Sequence, residues 1–159
     1  VKLTVLREVS EAAGAKGMVG GQAMDLGAQG QQLNIITLRR MHMGKTGALF
    51  RAAVRAGAIL AGADAAELVS LTRYAESFGL AFQITDDILD VTGATEDIGK
   101  PVGSDERNHK VTYVTLATLP GAEKMARDAV VTAVEALAPL GERAAFLRAL
   151  AEFLLSRKQ

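Results

Sequence analysis

The chain has 159 residues, 49% hydrophobic and 23% charged, so it can bury the core of one compact domain and does not fit the disordered class. Its 18 basic and 18 acidic residues cancel, which gives no support for a nucleic-acid-binding surface. The absence of cysteine excludes disulfides and Cys-ligated zinc and fits a reducing compartment such as the cytoplasm, and no apolar run is long enough to predict a membrane-spanning helix.

The predicted fold class is all-α, in a single domain over residues 1–159. Ala, Leu, Arg and Glu dominate, and the alternating pattern of a β-strand is absent. Asp64, with Glu67 three residues later, is typical of a capping box at a helix start. Glycine and proline positions divide the chain into predicted helices at 2–13, 16–28, 33–61, 65–92, 105–118, 121–138 and 142–157.

The second predicted helix carries two polar residues on one face. Gln22 and Asp25 are three residues apart, a spacing that places both side chains on the same side of a helix. The glycines around them match a dinucleotide fingerprint weakly, but no strand precedes them. We therefore set the dinucleotide interpretation aside.

The third predicted helix contains Lys45 and Thr46 between Gly44 and Gly47. This resembles the end of a nucleotide-binding P-loop, but Arg39 stands where the first glycine is required and no strand precedes it. Glycine inside a helix costs about 1 kcal/mol relative to alanine, so the two glycines need a reason. Two remain open: a kink that exposes Lys45 and Thr46 to an anion, or close packing against another helix. The nearby lone His42 is more commonly a packed residue than a ligand.

The fourth predicted helix holds three aspartates in the apolar stretch AFQITDDILDVTG. At about 100° per residue, with Asp86 at 0°, Asp90 falls at about 40°, Gln83 at about 60° and Asp87 at about 100°. Carboxylates on so narrow an arc repel one another and favour a bound cation or a shared proton. Oxygen ligands favour a hard cation such as magnesium, although a solvated acidic face is the alternative.

Two lysines follow the acidic helix in the glycine-containing stretch around DIGKPVGSDERNHKVTY, namely Lys100 and Lys110. Lysines beside a metal site suit a phosphate or diphosphate. Taken singly, each lysine fits an ordinary surface loop better than a phosphate site. The three features together, an acidic helix, several lysines and a largely apolar helical interior, fit a metal-bound diphosphate with an apolar tail.

The same motifs resemble the C-terminal half of bacterial trans-polyprenyl diphosphate synthases of the farnesyl or geranylgeranyl diphosphate synthase type. The resemblance covers nearly the whole chain, through GMVGGQAMDL, KTGALFRAAVRAGA, YAESFGLAFQITDDILDVTG and GKPVGSDERNHKVTY. It implies a large all-α bundle, usually a homodimer. It also implies a prenyltransferase that condenses an allylic diphosphate with isopentenyl diphosphate and uses Mg²⁺.

The resemblance implies roles for individual residues. DDILD matches the second aspartate-rich motif, so Asp86, Asp87 and Asp90 would bind magnesium. The residues expected at the substrates are Gln22, Asp25, Lys45, Thr46, Gln83, Lys100 and Lys110, of which Lys45, Thr46 and Gln83 would also act in catalysis.

One part of the family pattern is absent from these 159 residues. The family carries a first aspartate-rich motif followed closely by paired arginines, whereas the double arginine Arg39-Arg40 follows no aspartate-rich stretch. We therefore expect these 159 residues to act as part of a longer chain and to be inactive alone. The alternative is a non-catalytic helical subunit or fragment that binds magnesium-diphosphate or only dimerises.

Overall fold

The computed structural model describes residues 1–93 and 110–157, and these residues form helices and connecting turns without a β-strand. A π-helical turn, Met43–Gly47, joins α3 to α4, and a 3₁₀ stretch, Ala138–Ala144, joins α6 to α7. The helices are α1 (Lys2–Ala13), α2 (Met18–Gly27), α3 (Ile35–His42), α4 (Ala48–Leu60), α5 (Ala65–Thr92), α6 (Tyr113–Ala136) and α7 (Ala145–Ser156). None of the helices in these two ranges has the length and apolar character needed to cross a bilayer.

The all-α prediction is confirmed, and α1 and α5 have the predicted bounds. The capping box at the start of α5 is present: the Glu67 N–H donates to Asp64 Oδ1 at 2.9 Å, and the Asp64 N–H donates to Glu67 Oε2 at 3.1 Å. The long helix predicted over 33–61 is instead interrupted by the π-helical turn.

The last three predicted helices differ from the structure. The described part of the predicted 105–118 helix begins only at Tyr113, and residues 105–109 lie outside the described residues. From Tyr113 one helix, α6, covers the ends of both predicted helices, and the predicted break between residues 118 and 121 is present in it as a kink at Thr118, whose φ is 66°. Pro120 explains the kink, because its ring lacks an N–H and crowds the preceding turn. The seventh helix starts at Ala145, after Gly141 in the 3₁₀ stretch adopts a φ of 56°.

The long helix α5 is the centre of the fold and packs against α4 on one side and α6 on the other. The larger core cluster includes Tyr74, Phe78, Leu137 and Leu154. The Tyr74 hydroxyl donates to the carbonyl of Leu147 at 2.9 Å, which ties α5 to α7. Burial of each large apolar side chain contributes about 1.5–3 kcal/mol, so this cluster supplies much of the stability of the fold.

A second cluster lies beside the acidic end of α5 and joins α3, α5 and α6. Its buried members are Leu38, Met41, Ile84, Tyr113, Ala122 and Ala126. Because the cluster holds α3 and the start of α6 against α5, it fixes the helix that leads into Lys45 and the helix that follows Lys110 beside the acidic end of α5.

Candidate functional site

Three segments meet at glycines to form the base of the candidate site. A Cβ atom on Gly21 of α2 would lie only 2.0 Å from the backbone nitrogen of Lys45, and one on Gly79 of α5 would lie 3.2 Å from the Cα of Gly47. Side chains at these positions would push the helices apart. Close packing therefore accounts for the glycines on either side of Lys45.

The π-helical turn between those glycines presents Lys45 to Asp25 of α2. The Lys45 Nζ–Asp25 Oδ2 distance is 2.6 Å, and the two side chains are 34% and 18% exposed. An ammonium has three N–H donors, so its bond to Asp25 is compatible with another bond to an anion. π-Helical turns are frequent at functional sites, and this one lies where the sequence predicted an anion-binding pair.

An arc of polar residues runs along α5 from its contact with the π-helical turn. Gly79 touches that turn, and Gln83, Asp86 and Asp90 follow on the same side of the helix. Asp86 is exposed, while Gln83 and Asp90 are partly exposed. Seven residues of helix span about 10 Å, so Asp86 lies within about that distance, along α5, of the contact beside Lys45.

The carboxylate of Asp87, unlike those of Asp86 and Asp90, is buried. Asp87 is only 7% exposed, and its Oδ2 accepts a hydrogen bond of 2.7 Å from the backbone N–H of Tyr113. Within residues 1–93 and 110–157, no three His, Cys, Asp or Glu side chains are close enough together to hold one metal ion. The three-aspartate metal site therefore stays a prediction.

The donor chemistry of the arc nevertheless fits magnesium. Asp86 and Asp90 are one helical turn apart and offer hard oxygen donors on an accessible face. Magnesium commonly uses one or two carboxylates and completes its shell with water and phosphate oxygens. Two accessible carboxylates are thus sufficient in number, without Asp87.

Two of the remaining predicted residues belong to the segments that meet at the Gly21 contact, and the other two do not. Gln22 on α2 and Thr46 in the π-helical turn are partly exposed, and Lys110 is exposed shortly before α6. Lys100 lies outside the described residues. The structure thus brings Asp25 and Lys45 into contact and places Gln22 and Thr46 on the same two segments.

Sequence reasoning missed the pairing of His42 with Tyr113. Their ring centroids are 5.5 Å apart, and His42 Nδ1 and Tyr113 Oη are buried without a hydrogen-bond partner among the described residues. Burial lowers the pKa of His42 to about 4 and raises the pKa of Tyr113. His42 is therefore a packed, neutral residue near pH 7, and no local sequence signal joins it to a tyrosine so distant in the chain.

A separate cavity of about 570 Å³ opens on another side of the crossing between α2 and the π-helical turn. Its lining includes three basic side chains, Lys16, Arg40 and Arg51, and Arg51 lies 3.5 Å from Glu76. No predicted site residue lines this cavity. The cavity is therefore distinct from the predicted site at Lys45 and the α5 carboxylates.

Comparisons with known proteins agree in one family. The profile of the polyprenyl synthetase family matches residues 2–140. The chain is 44% identical to a farnesyl diphosphate synthase of Escherichia coli (strain K12), over 99% of this chain and 54% of that protein.

Two solved structures share the fold. A polyprenyl synthase from Caulobacter crescentus CB15, complexed with calcium and isoprenyl diphosphate, superposes with a TM-score of 0.89 at 28% identity, over 98% of this chain and 60% of the other. A geranyltransferase from Helicobacter pylori, complexed with magnesium and isoprenyl diphosphate, gives a TM-score of 0.81 at 30% identity, over 97% and 50%. The chain spans about half the length of the curated relatives it matches.

Proposed function

Since the chain belongs to the polyprenyl synthetase family, we propose that it supplies the allylic-diphosphate half of a short-chain trans-prenyltransferase of isoprenoid biosynthesis. The observation that supports this most strongly is the close contact between Gly79 of α5 and Gly47 of the π-helical turn. It lays the segment that carries Lys45 against the helix that carries Asp86 and Asp90. A cation and an array of carboxylates on one face can hold a diphosphate through direct and metal-bridged contacts.

The proposed reaction breaks the allylic C–O bond, joins the allylic carbon to the double bond of isopentenyl diphosphate, and ends with loss of a proton. Bound magnesium would neutralise charge on the leaving diphosphate. Asp86 and Asp90 would hold the metal, and Lys45 would donate to diphosphate oxygens, oriented by Asp25. Asp87 was predicted as a third ligand from the family resemblance.

The other predicted residues have roles around the reacting carbon. The Thr46 hydroxyl and the Gln83 amide are proposed to lie beside the developing cation, where their oxygens stabilise positive charge. Gln22 would line the same pocket. Lys100 and Lys110 would contact the allylic diphosphate.

Magnesium, both diphosphate substrates and a homodimer are parts of the same proposal. The Helicobacter pylori structure contains magnesium and isoprenyl diphosphate, which supports the metal and the diphosphate substrates of this proposal. The cysteine-free composition supports a cytoplasmic location. Relatives named as synthases do not favour the alternative of a non-catalytic helical subunit.

The deciding experiment is complementation. The 159-residue chain is co-expressed with the N-terminal half of a complete synthase of this type, and condensation of an allylic diphosphate with isopentenyl diphosphate is measured with and without magnesium. We expect magnesium-dependent product from the pair and none from either half alone. The matched control is Asp86→Asn, which should reduce turnover by a factor of about 100 or more.

Activity that is unchanged by Asp86→Asn would contradict the metal role. No product from the folded pair would favour the non-catalytic interpretation. Product from the 159 residues alone would show that the first aspartate-rich motif is dispensable, against our expectation.

A further inference from the structure

The second carboxylate of the acidic motif is placed differently from the first. Asp87 is 7% exposed, whereas its neighbour Asp86 is exposed. One step along a helix turns a side chain by about 100°, and this step carries Asp87 off the open arc and towards the start of α6. A buried carboxylate requires hydrogen-bond partners, so its contacts reveal its role.

Among the described contacts of Asp87 is a hydrogen bond from the first backbone N–H of α6. Its Oδ2 accepts from the Tyr113 N–H at 2.7 Å, and the neighbouring Thr112 Oγ1 accepts from the Thr115 N–H at 3.1 Å. The first N–H groups of a helix have no partner within the helix and carry its positive dipole end. Asp87 and Thr112 therefore cap α6 together.

Tyr113 is thereby fixed at two points. Its ring is fully buried in the cluster with Leu38 and Ile84, and its N–H is held by Asp87. Lys110 lies only three residues before Tyr113. The hydrogen bond thus fixes where α6 begins against α5, three residues after Lys110.

From this geometry we infer that Asp87 is a positioning residue: it anchors the start of α6, and with it Lys110, beside Asp86 and Asp90, instead of ligating metal directly. The inference that Lys110 is positioned beside Asp86 and Asp90 rests on the proposed diphosphate site. The anchoring of Tyr113 does not depend on that site and is tested without activity.

The first test measures hydrogen exchange of the Tyr113 amide by NMR in the 159-residue chain. Asp87→Ala should raise its exchange rate about tenfold or more, because a hydrogen bond to a charged acceptor is lost. Asp87→Asn keeps an acceptor oxygen of similar size and should raise the rate about two- to fivefold. The control Asp86→Ala should leave the rate within about twofold. A Tyr113 amide that exchanges at the original rate in either Asp87 variant overturns the inference.

The second test titrates magnesium in the presence of inorganic diphosphate by calorimetry. Asp86→Asn should raise the apparent dissociation constant for magnesium about tenfold or more, and Asp87→Asn should change it less than about threefold. Equal losses in the two variants would make Asp87 a ligand and overturn the inference. If even the unsubstituted chain binds neither probe, the proposed diphosphate site fails, while Tyr113 exchange still decides whether Asp87 anchors α6.

Discussion

Lys45 and Asp25 form an ion pair of 2.6 Å across the closest approach of two helical segments. The pair exists because Gly21 lets the backbone of α2 lie directly against the π-helical turn. Asp25 thereby restrains a long, flexible lysine without enclosing it, since the Lys45 side chain is still 34% exposed. A lysine restrained in this way loses less conformational entropy when it binds an anion.

Lys45→Gln should weaken use of the allylic substrate in the complemented enzyme. The amide keeps much of the length of the side chain but loses the charge, so the KM for the allylic diphosphate should rise about tenfold or more. The KM for isopentenyl diphosphate should change less than about threefold. Lys124→Gln is the matched control, because Lys124 makes a 2.6 Å ion pair with Asp128 on an exposed face of α6. Equal effects of Lys45→Gln on both substrates would remove Lys45 from the allylic site.

Gly21→Ala should both destabilise the chain and displace Lys45. The new Cβ would lie 2.0 Å from the Lys45 nitrogen, and backbone atoms cannot yield as a flexible side chain can. We expect a loss of about 2–4 kcal/mol in the free energy of unfolding, measured with urea. Gly57→Ala is the control, because nothing lies within 4 Å of its Cβ position inside α4, and it should stabilise by about 0.5–1 kcal/mol. Similar stability changes in the two variants would show that the α2 crossing tolerates separation.

The sequence predicted most of the helices because their signals are local. The bounds of α5 follow from the Asp64 capping box and the terminal Gly93, both visible in the residues themselves. The break predicted between residues 118 and 121 is present as the kink at Thr118, because Pro120 is a local signal. The π-helical form of the turn at Met43–Gly47 was not predicted, because it leaves little periodic signal.

The site was predictable as a set of chemical groups but not as a set of contacts. Helical spacing alone placed Asp86 and Asp90 on one arc, and the structure leaves both at least partly exposed. That Asp87 would accept from the Tyr113 N–H could not be predicted, since it depends on where α6 starts in space. The choice between kink and packing at Gly44 and Gly47 likewise needed the neighbouring glycines of two other helices.

Arg55→Met should destabilise the fold through Glu8. The guanidinium donates to both Glu8 oxygens, at 2.6 and 2.8 Å, and to Thr72 Oγ1 at 2.7 Å, so it joins α1, α4 and α5. Methionine keeps the apolar stem but leaves a partly buried carboxylate without its partner. The free energy of unfolding at pH 7 should fall by about 1–2 kcal/mol, discounted for partial exposure. Arg7→Met, in the exposed pair with Glu11 on the same helix, is the control and should cause no measurable change.

The same ion pair sets a pH dependence. The hydrogen bond from Arg55 lowers the pKa of Glu8 below its ordinary 4.5. A carboxyl group with a lowered folded-state pKa contributes stability that is complete above the unfolded-state value and is lost as pH falls through the folded-state value. Arg55→Met should therefore lose part of the acid-induced drop in stability below about pH 4.5. The measurement is urea unfolding at several pH values. If the free energy of unfolding falls below about pH 4.5 as steeply in Arg55→Met as in the unsubstituted chain, this assignment is wrong.

His42→Phe should make the free energy of unfolding less dependent on pH, in a pH range above the one in which Glu8 titrates. Burial lowers the pKa of His42 from 6.5 to about 4, so the unfolded chain binds its proton first. Stability should consequently fall as pH decreases from about 6.5 towards 4, with a slope of at most about 1.4 kcal/mol per pH unit from this residue. Phenylalanine keeps an aromatic ring beside Tyr113 and removes the titration, so the slope between about pH 6.5 and 5 should largely disappear. The comparison variant is His109→Phe, the other histidine of the chain. If the slope persists in His42→Phe but disappears in His109→Phe, the pH dependence comes from His109, and the assignment to His42 is wrong.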